Sequence, residues 1–266
     1  MSLDNPQDAA LIDGAAVISK VLQQTAADVA AAKAARAAAN QRLLSRGKKP
    51  KAFNEKLTFA IKFAKYIGAA IADALRDDFP EIKSGENPSR SVSGAKRVDV
   101  NYNTPEMGLG FAISFKSVHR GERASGDVDF IHNMKRNDEE LRVEATAHHL
   151  RQPYAVLVAV IFLPVESCND LEPTSSFASW VQYLWPLKGR DEPEDPPDLF
   201  ELVFVALYAR DGSDLRFYHV GGQVPCPRRE RPSQLLTLTE FLQLVKKAYD
   251  VRNGKDFFFE GEAPQG

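Results

Sequence analysis

Asp99 and Lys116 are the two side chains of this sequence whose type and setting ask for chemistry. Arg97–Asn103 (RVDVNYN) alternates apolar and polar residues, so Val98, Val100 and Tyr102 share one strand face and Asp99 and Asn101 the other. Gly110–Val118 (GFAISFKSV) repeats the pattern, with Phe111, Ile113 and Phe115 on one side and Ala112, Ser114 and Lys116 on the other. The short turn Thr104–Gly108 makes the two strands an antiparallel hairpin. If its large apolar residues pack on a helix, the carboxylate and the ammonium meet on the opposite face. A lone buried charge is costly unless it is paired or bound to an ion. The pair is therefore either a cross-strand ion pair or a site.

Other polar residues crowd the same region. Arg97, Arg120, Lys135 and Arg136 lie near the hairpin in sequence. Each by itself is an ordinary surface charge, but together they are what a phosphate-binding groove needs. His148 and His149 are adjacent, and neighbouring helical residues point about 100° apart, so one ion does not join them. A histidine acting as general base stays open on these residues.

Several elements must hold these groups in place. Asn54 caps a helix from Glu55 to about Arg76, with Phe59, Phe63, Ile67 and Ile71 on its apolar face. Asp77–Ser93 is polar with two prolines and reads as loop, with room for one short strand. After the hairpin and a polar loop over 119–134, Asn137 or Asp138 caps a helix to about Arg151, which Pro153 ends. Its apolar face is thin and its charge dense, so it suits a helix lining a site better than one lost in a core. Tyr154–Leu163 (YAVLVAVIFL) is apolar throughout, as in a strand buried on both faces. Ser175–Leu184 is a short helix, Phe200–Tyr208 and Leu215–Val220 are strands, and Thr237 with Glu240 forms a capping box for a last helix.

The order helix, hairpin, helix, buried strand, with VDV on one hairpin strand and ISFK on the next, resembles the PD-(D/E)XK nucleases, the restriction-endonuclease-like superfamily. The resemblance covers roughly residues 55–163. It implies an α/β fold with a mixed sheet core flanked by helices, and a metal-dependent cleavage of DNA phosphodiesters. It gives Asp99 the metal-binding role and Lys116 the lysine role, with Mg²⁺ or Mn²⁺ as cofactor. The position of the family's second acid holds Ser114 here. Either the site is degenerate or another acid replaces it: Glu55, Glu106, Glu140 or Glu144, or the main-chain carbonyl of Phe115. Glu140 and Glu144 share a helix face, and Glu144 is favoured because that face looks toward the sheet edge where Lys116 ends. The same likeness makes Arg142 and Gln152 candidates for positioning phosphate. A homodimer or larger assembly follows from cutting two strands, and restriction or phage defence from family analogy alone. The rival is a catalytically inactive, nuclease-like DNA- or protein-binding subunit of a defence complex.

Composition narrows the field. With 34 Lys+Arg against 36 Asp+Glu the chain is near neutral, which argues against a protein that coats DNA but leaves a local basic groove open, for DNA or for RNA. Two isolated cysteines suit a reduced cytosol better than a zinc ribbon. No apolar run approaches the ~18 residues of a membrane span, and the first residues lack a leader pattern, so the expected location is cytoplasmic without a membrane partner. Nucleotide-cofactor and esterase motifs are absent. The organisation expected is an alanine-rich helical arm and basic linker over 1–50, an α/β nuclease-like domain over 51–254, and a tail over 255–266. The arm's sequence fits both a helix packed on the domain and a projecting element for self-association.

Overall fold

The computed structural model describes residues 11–91, 94–105, 108–119 and 129–253, with side chains except at 86–91 and 94–97. Its centre is a six-stranded mixed sheet: β1 (Lys83–Ser91), β2 (Gly94–Thr104), β3 (Gly108–Ser117), β4 (Val156–Pro164), β5 (Leu202–Tyr208) and β6 (Leu215–His219). The spatial order follows the chain, β1-β2-β3-β4-β5-β6. β1, β2 and β3 are antiparallel, β3, β4 and β5 parallel, and β6 returns antiparallel to β5.

The helices are α1 (Gly14–Leu44), α2 (Glu55–Leu75), α3 (Met134–His149), α4 (Ser176–Leu184) and α5 (Leu238–Asn253). The parallel crossovers put α3 and α4 on one face of the sheet, over Ala112, Leu157, Ile161 and Val205. On the other face α1, α2 and α5 cover Phe111, Ile113, Phe115, Val160 and Phe204. Every residue of β4 is buried, because both its faces are covered. At about 1.5–3 kcal/mol for each fully buried large side chain, these two layers are the main hold on the sheet. The mixed α/β architecture matches the expectation from sequence.

Three features differ from it, and one question that it left open is answered. Asp77–Ser93 contains a full edge strand, β1, rather than loop. α3 starts at Met134 behind Asn133, whose φ of 63° turns the chain into the helix, so Asn137 and Asp138 sit inside it. α1 is one continuous helix that packs on the domain: Ile18 and Val21 are buried among core side chains, and Tyr66 of α2 donates to Asp28 at 2.8 Å. Of the two readings its sequence left open, the packed helix is the observed one. Val98 and Val100, expected on one face, lie in different core layers.

The lower end of the parallel strands holds a buried polar knot. Glu201 accepts the Leu157 N–H at 2.7 Å, with His149 Nε2 and Arg252 Nη1 each 3.4 Å away and Arg190 Nε at 3.8 Å. Arg190 also donates to the carbonyls of Pro153, Glu192 and Pro193. This knot ties the acidic loop before β5 to the end of α5.

Candidate functional site

The split of Val98 from Val100 is where the site begins. Ladder pairing between β2 and β3 runs from Thr104 back to Val100, which faces Ile113, and stops there. On the other side, the β1 register slips between Ser84 and Asn87, opposite Asp99. The next acceptor for the Phe115 N–H should be the main chain of β2; instead Oδ2 of Asp99 takes that bond at 2.8 Å. The strand kinks, Asp99 stays half-buried, and its side chain fills the missing rung. The N–H and C=O of a strand residue face the same neighbour. The Phe115 carbonyl is therefore directed to the edge that the Asp99 carboxylate occupies.

Glu144 arrives at the same place from α3. The buried Ser114 hydroxyl donates to Glu144 Oε1. Lys116 Nζ lies 3.8 Å from Glu144 Oε2 and 3.4 Å from Glu140 Oε2. Asp99 and Glu144 thus converge on adjoining groups of one dipeptide, Ser114–Phe115, with the Lys116 ammonium alongside. Ser114 does not take the place of an acid here; its hydroxyl orients one.

Other expected residues fall elsewhere. Glu55 is not part of this group. Gly68 abuts Asp99, since a methyl there would sit 3.3 Å from the Asp99 carbonyl. Glu55 is about 20 Å away along the α2 axis, at 1.5 Å per residue, and pairs with Lys33 at 3.1 Å. Gln152 packs under Gly108 at the far end of β3, about 25 Å from Lys116 at ~3.3 Å per residue. Gly108 has a φ of +76°, and a methyl on it would meet Gln152 Nε2 at 2.5 Å. Arg142 is engaged by Asp138 at 3.2 Å and Asp198 at 2.5 Å, so it braces α3 instead of facing a groove. Lys135 is exposed and pairs with Glu139, while Arg136 pairs with Glu140 and so joins the rim near Lys116. Arg120, Glu106 and the tail lie outside the described residues, as does the side chain of Arg97. His149 belongs to the Glu201 knot, with Nδ1 2.9 Å from the Pro197 carbonyl.

A cleft of about 600 Å³ opens beside this group, at the C-terminal ends of β3 and β5. Asn54, Phe59, Ser117, His119, Arg136, Tyr208 and Arg210 are among its lining residues. The His119 ring packs edge-on to Phe59 and Phe63, with centroids 4.5 and 4.7 Å apart. Its Nδ1 lies 2.8 Å from the Tyr208 hydroxyl. Burial, with Arg210 adding a smaller push, takes the His119 pKa down to about 3, so the ring is neutral. Burial likewise holds the Tyr208 phenol well above its ordinary value. His119 and Arg210 were not singled out from sequence. Their signal is the polar residues that end apolar parallel strands, where ligands gather in open α/β sheets.

The chain matches no protein-family model and no curated protein. Among solved structures it is similar to Pyrococcus furiosus SfsA in complex with Ca²⁺, at 12% identity and a TM-score of 0.25. The match covers 58% of this chain and spans 60% of that one. No helix among the described residues is long and apolar enough to cross a membrane.

Proposed function

We propose that this chain is a metal-dependent nuclease that cleaves DNA phosphodiester bonds, with Asp99, Glu144 and Lys116 as its working residues. The observation that carries the reading is the convergence of two carboxylates from separate elements on Ser114–Phe115, beside one ammonium. Among the described residues no three His, Cys, Asp or Glu side chains form a ready metal cage. The ion of this reading is Mg²⁺ or Mn²⁺; Mg²⁺ keeps several waters and needs only one or two protein carboxylates. Asp99 and Glu144 would hold the ion, with the Phe115 carbonyl as a third oxygen. Bound there, a divalent ion lowers the pKa of a coordinated water and offsets charge on the phosphate.

The chain's own groups do the rest. Lys116 carries three donors on a flexible stem. It orients the attacking water and stabilises charge that builds on the phosphate oxygens. Glu140 and Glu144 fix the ammonium between them, and Ser114 fixes Glu144. Arg136, linked to Lys116 through Glu140, supplies the first contact for the flanking phosphate. Restriction or phage defence, and a dimer that cuts both strands, are the setting this reading favours.

Two observations favour a second reading, an inactive nuclease-like binding subunit: a serine stands where the resembled family carries an acid, and two glutamates occupy the lysine. Plasmid and single-stranded substrates, incubated with Mg²⁺, Mn²⁺ or EDTA, separate the two. The nuclease reading expects metal-dependent cleavage that falls about 10²–10³-fold in Lys116→Ala, with DNA binding kept. Cleavage unaffected by that substitution refutes it, and a wild-type chain that binds but never cuts leaves the second reading standing.

A further inference from the structure

The cleft at the strand ends is not needed to hold a metal ion, yet it is built. One wall is aromatic: Phe59, His119 and Tyr208, backed by Phe63. Its rim carries Lys56, Arg136 and Arg210 beside one acid, Glu55, which pairs with Lys33 at 3.1 Å, while Arg210 lies 3.6 Å from Glu166. Its volume of about 600 Å³ falls within the ~300–1,000 Å³ of small-molecule sites and admits a nucleotide. Arg136 connects it to the candidate catalytic group through Glu140, 3.2 Å from Arg136 and 3.4 Å from Lys116. A neutral aromatic wall attracts the face of a base, and cations outside it attract the phosphates on either side. Every base has such a face, so a wall of this kind takes unpaired nucleotides with little regard to sequence. A paired base cannot enter, because its face is covered by its neighbours in the stack.

We infer that the cleft receives one unstacked nucleotide, with its base against Phe59 and His119 and its phosphates at Arg136 and Arg210, so that the chain prefers single strands or unpaired ends to continuous duplex. The inference rests on the nucleic-acid substrate proposed above and deepens it. Binding is read in EDTA, where no metal-dependent step contributes, by fluorescence anisotropy. Three probes of one sequence are compared: a single strand, a blunt duplex and a duplex with an unpaired overhang.

The single strand and the overhang should bind about tenfold or more tighter than the blunt duplex, or ~1.4 kcal/mol. Phe59→Leu keeps an apolar side chain against Phe63 and removes the stacking face; it should close that gap while leaving duplex affinity unchanged. Asp99→Asn should abolish cleavage and keep the gap. Equal affinity for the three probes in the wild-type chain overturns the inference, as does a Phe59→Leu chain that retains the gap or weakens all probes alike. Preference without metal-dependent cleavage would defeat only the nuclease reading; cleavage without preference would defeat only this one.

Discussion

Glu144→Gln is the substitution that separates a metal site from an ion-pair network. Glutamine keeps an oxygen to accept the Ser114 hydroxyl, so the link between α3 and β3 survives. Lys116 keeps Glu140 at 3.4 Å, a carboxylate side chain that is 46% exposed. Among the contacts weakened in the fold is the ion pair at 3.8 Å, whose side chains are only 20% and 12% exposed; with Glu140 still beside the ammonium, its loss falls between an exposed pair and a broken buried one, about 1–3 kcal/mol. At roughly 2–4 °C per kcal/mol for chains of comparable length, Tm without metal should fall by about 2–12 °C. The metal loses one of its two protein carboxylates. An ion at a hundred times its Kd stabilises the folded state by about 2.7 kcal/mol. A hundredfold weaker affinity would leave only about 0.4 kcal/mol at the same concentration. Thermal melts with and without Mn²⁺, supported by calorimetric titration, read both quantities. The wild-type Tm should rise by about 5–11 °C on adding the ion, and that of the variant hardly at all. An equal rise in both, or none in the wild-type chain, refutes the assignment of Glu144 as a ligand.

Two further outcomes follow from groups away from the carboxylates. Glu201→Gln leaves Arg190 and Arg252 buried without their counter-charge; breaking a buried pair costs about 3–5 kcal/mol, and a denaturant midpoint close to wild type would show the knot to be weaker than its geometry suggests. His119 is neutral when folded, with its pKa near 3, but takes a proton below 6.5 when unfolded. The unfolded chain therefore binds more protons between these values, and stability falls as pH drops through that window, by up to about 1.4 kcal/mol per pH unit for this group. His119→Phe should flatten the dependence by that amount in urea titrations across the acid range; an unchanged slope would mean that the ring is already charged in the native state.

The alternation of β3 was legible because strand period alone assigns Ser114 and Lys116 to the face that α3 covers. Glu144 was legible for the same kind of reason, since helical period aims it at that face. The kink in β2 was not. RVDVNYN alternates cleanly, and nothing local in it says that Asp99 will replace a main-chain rung and throw Val98 to the other layer. That outcome depends on where β1 slips, which is a tertiary event. Gln152 and Glu55 went astray for a related reason: each belongs to the stretch of chain next to the hairpin in element order, but sits at the far end of a long element. Arg142 looked available to phosphate because its partner Asp198 is remote in sequence. Glu201 did carry a signal that went unread, an acid at the mouth of an otherwise apolar strand.

α1 closes the domain against the last elements of the chain. Gly14 abuts the Leu215 carbonyl and Leu238, and the Ile12 N–H donates to Thr239 Oγ1, 227 residues away. During synthesis at about 5–20 residues per second, the N-terminal end of α1 therefore waits roughly 10–45 s for this part of its seat to leave the ribosome. Through that interval the helix can rest on α2, whose Lys62 and Tyr66 meet Asp28, while its first turns lack the cover of β6 and α5. Such long-range closure is slow, so the start of α1 should be the last part of the helix to seat.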